Sequence, residues 1–162
     1  MMSFMHHVGD IILWGFIATS LMTTILLGSQ GLGFSRLSLP FLIGTMLTTR
    51  LRLAYVLGYA VYAIGGWLFA FVYAKIFVSI GYQTWWIGAL LGLGLGLFIL
   101  ISLAHLPYIH PHMACEYDHP RSGRVLEAPG FLGLHYGRQT PIITLLGHAL
   151  YGSVLGVFLP TF

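Results

Sequence analysis

Apolar residues in this chain fall into four long blocks separated by polar or proline-bearing connections. The first, 11–28, is uncharged, with Asp10 placed to cap its N-terminus and Gly28 to end it. The second, 53–80, carries only Lys75, near enough to its far end to snorkel. The third covers 85–105 and the fourth 141–159, where Thr140-Pro141 reads as N-cap and first-turn proline. About 20 apolar residues cross about 30 Å of hydrocarbon. Inside lipid the backbone has to satisfy its own polar groups, so each block is a spanning helix. The pattern predicts an all-α polytopic membrane protein, a single domain folded as a four-transmembrane-helix bundle.

Four spans place both termini on one side and the long connections 29–52 and 106–139 on the other, with a tight turn at 81–84. Arg36, Arg50, Arg52, Arg121, Arg124 and Arg138 all lie in the long connections, against Lys75 alone near the opposite face. The positive-inside rule therefore puts both connections in the cytoplasm and both termini outside it. Tyr82, Trp85 and Trp86 around the short turn suit an outer aromatic belt.

The first connection contains LSLPFLIGTML, too short to span, which predicts a segment that lies in the interface or re-enters. The other holds Pro107, Pro111, Pro120 and Pro129, so much of it reads as extended, with GFLGLHYGR a second candidate interfacial segment. An internal repeat is a further reading. Leu57-Gly58-Tyr59-Ala60-Val61-Tyr62-Ala63 aligns with Leu146-Gly147-His148-Ala149-Leu150-Tyr151-Gly152, and Phe41-Leu42 answers Phe131-Leu132. Two helix pairs would then be related by an axis along the membrane normal. Chance matching within an apolar alphabet is the alternative.

Composition excludes a water-soluble domain: 57% of residues are hydrophobic and only 7% charged, with a mean hydropathy of +0.87. A net charge of +3 does not point to nucleic acid, because the basic residues form no stripe with interleaved aromatics. Cys115, the single cysteine, has no partner for an internal disulfide. The opening MMSFMHHVGD lacks Lys and Arg and no A-x-A site follows, so no cleaved secretory signal is expected.

Candidate chemistry is sparse. Gly88, Gly92 and Gly96 at four-residue spacing, repeated by Gly152 and Gly156, signal close helix packing; a groove for a ligand beside them is the functional alternative. His148 sits eight residues into the fourth span, about 12 Å deep at 1.5 Å per residue. An imidazole there is a candidate ligand for haem, a chlorophyll-type pigment or a metal, or a proton relay. The plainer alternative is a neutral ring bonded to a neighbouring helix, at Tyr59, Tyr62, Thr19 or Thr23.

His105, His110, His112, Cys115 and His119 form the densest set of candidate transition-metal ligands, with Glu116 and Asp118 nearby. Their spacing matches no zinc-finger, HExxH or thioredoxin-like pattern. A solvated polar loop is the alternative. Tyr55, Tyr59 and Tyr62 stripe one helix face, a pattern of packing more often than redox. No GxSxG, Walker A or embedded carboxylate pair supports a hydrolase or ATPase.

The C-terminal half, with Trp86-Ile87-Gly88-Ala89-Leu90-Leu91-Gly92, Pro129-Gly130-Phe131-Leu132-Gly133-Leu134-His135-Tyr136-Gly137-Arg138, Thr140-Pro141 and His148 before Tyr151-Gly152, resembles small bacterial inner-membrane proteins of unknown function with four spans. The resemblance implies the bacterial inner membrane and no activity. The leading expectation is a non-catalytic membrane subunit packing laterally in a larger complex, of electron transport or light harvesting. A small oligomeric transporter or channel for a neutral solute is the alternative. A metal- or cofactor-binding protein using the histidine-rich loop is the third. Lipid is the expected surrounding partner, with other membrane subunits or further copies of the chain beside it.

Overall fold

The computed structural model describes residues 7–113 and 126–160. Four helices, α1 (Val8–Gly31), α3 (Leu51–Ile80), α4 (Trp85–Leu103) and α6 (Thr140–Phe158), are long and apolar enough to cross a membrane. Two shorter helices join them, α2 (Leu39–Leu47) and α5 (Leu106–Ile109), with a 3-10 segment at Phe131–Tyr136. Among the described residues there is no strand, only an isolated bridge between Met113 and Leu126.

The helix ends differ from expectation for local reasons. Asp10 lies inside the first turn of α1, where a carboxylate favours the helix dipole, and His7 is the N-cap with no side-chain cap bond. Gly28 does not stop the helix: its carbonyl accepts the Leu32 N–H at 3.1 Å and α1 runs three residues further to Gly31. Thr140 is already helical after Gln139 as N-cap, and its hydroxyl pairs with Ser35 instead of capping. By contrast α2 is capped as its sequence invites, Ser38 Oγ accepting from the Phe41 N–H with Pro40 in the first turn. At 30 residues, or about 45 Å, α3 exceeds the hydrocarbon thickness, so it tilts or projects beyond it.

The bundle is organised around α6. Its span is 44% buried, against 22% for α3, because α6 packs on α4 along one side and α1 along the other, and α1 packs on α3. Although the short turn joins them, α3 and α4 do not pack against each other. The α4–α6 contact is close enough for backbone to touch backbone. A Cβ on Gly88 would fall on the Gly152 carbonyl, one on Gly152 on the Gly88 carbonyl, and one on Gly92 on the His148 carbonyl. In the first half α2 folds back on α3 just as tightly, through Gly44 against Ala54 and Gly58 against Pro40. Outward faces stay apolar, with Val56, Leu68, Leu90 and Phe98 all exposed, which is the arrangement a lipid solvent requires.

The two long connections meet at one end of the bundle. Arg36 donates from its backbone N–H to Tyr136 O (2.7 Å) and from Nη2 to His135 O (2.6 Å), and pairs with Glu127 at 3.2 Å. Tyr136 Oη donates to the Glu127 carbonyl at 2.6 Å, and burial is the main cause of its phenol rising to about 12. At the other end Trp14 stacks on Phe158 with centroids 4.3 Å apart, and Gln83 Nε2 donates to the Leu159 carbonyl.

Span, short helix and span thus occur twice in order, yet the two short segments differ. Phe41-Leu42 is regular helix, whereas Leu132 holds φ 54° beside Gly133 at φ 72°, a left-handed pair within the 3-10 segment.

Candidate functional site

The histidine-bearing connection is a fastener for α2. His110, 1% exposed, accepts the His112 backbone N–H at Nδ1 (3.2 Å), so its proton sits on Nε2 and points at the Leu42 carbonyl (3.1 Å) and Thr45 Oγ1 (3.2 Å). His112 in turn donates from Nδ1 to the Thr45 carbonyl at 2.8 Å. His105 is exposed at the end of α4 and takes no part. Cys115 and His119 lie outside the described residues, and no three candidate ligands come together among those described.

Because charging His110 would set a second N–H against the His112 N–H, the ring is held neutral. Its pKa lies below 6.5, desolvation being the main cause and the neighbouring His112 a lesser one, opposed by the Leu42 hydrogen bond. The unfolded chain takes up the proton first as pH falls. This contribution to stability is therefore complete above about 6.5 and is lost on going below it, levelling off beneath the folded-state value. Denaturation midpoints at pH 8 and pH 5 check this: wild type loses more stability on acidification than His110→Gln, which has nothing to titrate there. Equal losses in the two proteins would contradict it.

A second site lies within the membrane-spanning region. Since α3 and α4 do not pack against each other, a cavity of about 300 Å³ remains between them, backed by α6 and α1 and closed at one end by Leu39 and Ile43 of α2. Small-molecule sites begin at about this size. Val61 and Phe69 are exposed and also line it, so the cavity opens sideways towards lipid. Gly65 contributes open space to its wall, with nothing within 4 Å of where a Cβ would be.

The polar groups of this cavity come from α6 and α3. His148 is 2% exposed, and its Nδ1 lies 2.8 Å from the Thr144 carbonyl one turn earlier. A carbonyl only accepts, so Nδ1 carries the proton and Nε2 keeps its lone pair, with no hydrogen-bond partner among the described residues. The partner is therefore in its own helix and not Tyr59, Tyr62, Thr19 or Thr23. Gly96 makes room for the ring: a Cβ there would lie 3.1 Å from His148 Cβ and 3.3 Å from Cγ. Tyr151 Oη donates to the Gly66 carbonyl at 2.6 Å, and Thr19 packs on the bare face of Gly66, tying α1, α3 and α6 together beside the cavity. The Tyr62 hydroxyl is buried facing Thr23 of α1, whose own hydroxyl donates to the Thr19 carbonyl at 2.7 Å.

Gly88, Gly92, Gly96, Gly152 and Gly156 are all buried between α4 and α6, facing each other within the chain. Tyr55 is exposed and set against Phe41 at 5.0 Å, leaving Tyr62 as the member of the tyrosine stripe that lines the cavity. Sequence reasoning passed over Gly65-Gly66 and Tyr151. Two adjacent glycines inside an apolar helix were the available signal, since glycine there is unfavourable unless space is needed.

No family model, curated protein or solved structure matches this chain.

Proposed function

We propose that this protein binds a small hydrophobic molecule within the bilayer, in the cavity between α3 and α4, as a multi-pass protein of the bacterial inner membrane with both termini outside the cytoplasm. The observation that carries this reading is a lipid-open cavity of about 300 Å³ with a buried imidazole in its wall. A polar atom without a partner is costly in hydrocarbon, and lipid tails have nothing to offer it. A bound molecule satisfies Nε2 where the protein does not.

The alternative of an accessory subunit held by its glycine faces draws less support, because those faces are used up within the chain. The orientation rests on Arg36, Arg50, Arg52 and Arg138 in the two long connections. Organic extraction of protein purified in mild detergent, followed by mass spectrometry, tests the binding. The expected result is one hydrophobic compound at near-equimolar yield, absent from an unrelated four-span protein purified alongside. Extracts that match the control, together with no stabilisation by any added hydrophobe, would refute it.

A further inference from the structure

The acceptor that His148 presents to the cavity narrows what it takes. Resting on the binding reading above, we infer that the occupant is a neutral hydrophobic alcohol or phenol whose hydroxyl donates to His148 Nε2. The fixed tautomer makes His148 an acceptor at the cavity: Nδ1–H is spent on the Thr144 carbonyl, so Nε2 has only a lone pair to offer. A ligand therefore has to bring the hydrogen. A hydroxyl is the smallest neutral group that does so, giving its proton to Nε2. Tyr62 contributes its ring to the wall, its hydroxyl being buried beside Thr23 of α1.

Charge excludes the other common head groups. Among the described residues no ionised side chain lines the cavity. Lys75, the only Lys, Arg, Asp or Glu in α3 beyond Arg52, is exposed and ten residues from Gly65, about 15 Å along the helix. A carboxylate or an ammonium would enter without a counter-ion, a placement that costs several kcal/mol per ion. Access runs between Val61 and Phe69 on the lipid side, so the molecule arrives from the bilayer and is itself membrane-soluble.

The test uses the full chain in lipid nanodiscs and two probes matched in shape, 4-hexylphenol and its methyl ether. Affinity is read from the rise in unfolding midpoint with probe concentration. The phenol should bind about ten-fold tighter, the worth of one well-made hydrogen bond in a dry site. His148→Leu should erase that preference while still admitting both probes, and 4-hexylbenzoate should not bind the wild type. The wild-type comparison stands even if the variant fails to fold. Equal affinity for phenol and ether would overturn the hydroxyl assignment and leave the binding reading intact. No response to either probe would overturn both.

Discussion

Gly92→Leu separates α4 from α6 and removes about 3 kcal/mol or more of stability, beyond the usual range for overpacking a core. A Cβ at this position falls on the His148 carbonyl and lies 3.0 Å from Ala149 Cα, and neither atom is able to rotate away because both are helix backbone. The two helices have to part, and every neighbouring contact along the seam parts with them. In lipid this loss is not offset by apolar burial, since the tails outside are as apolar as the leucine itself. Gly94→Leu is the internal control. Gly94 sits two residues away on the exposed side with nothing within 4 Å, so replacing it leaves stability unchanged or raises it by about 0.5–1 kcal/mol through helix propensity. Detergent-titration unfolding of both variants reads the difference. Similar midpoints for the two would show that the seam does not depend on its glycines.

The same substitution reaches the cavity, because the carbonyl that Gly92 accommodates belongs to His148. Packing and site chemistry share one seam: Gly96 gives the imidazole its room, and Thr144, one turn before it, fixes its tautomer. Loosening α4 from α6 is therefore expected to weaken ligand binding along with the fold.

This coupling also explains what was legible in the sequence. Four spans follow from hydropathy because lipid permits little else, and the depth of His148 follows from counting turns. Helix ends were less legible: Asp10 and Gly28 are ordinary start and stop residues, yet Asp10 lies within the first turn of α1 and the helix continues through Gly28 to Gly31. The glycine spacing at 88, 92 and 96 announces a close approach and says nothing about what approaches, and only the fold supplies α6. The His148 partner was hidden for a related reason. A histidine deep in a span invites a search for a neighbouring helix, whereas a carbonyl four residues back in the same helix is always within reach. The cavity itself was not readable at all, because it arises from two consecutive helices that fail to pack, a negative fact about the pair.

Gly65 turns that negative fact into a second large effect. Gly65→Phe is expected to leave the protein folded and to abolish binding of hydrophobic molecules. Position 65 is mid-helix, where glycine is unfavourable by about 0.5–1 kcal/mol relative to alanine, and no neighbour within 4 Å demands a small residue. Gly65→Ala should therefore raise stability by about that amount. It should leave binding little changed, since one methyl takes a small part of about 300 Å³. A phenyl ring at the same place projects into the space that His148 and Tyr62 line and occupies it, so the ligand is excluded without disturbing the α4–α6 seam. Gly66→Phe makes the contrast sharp. A side chain there strikes Thr19 and the site where Tyr151 bonds the Gly66 carbonyl, so it destabilises the bundle as well as the cavity. Unfolding midpoints and ligand recovery from the three variants separate the outcomes. If Gly65→Phe still co-purified with as much hydrophobic ligand as wild type, the cavity between α3 and α4 would not be where the molecule binds.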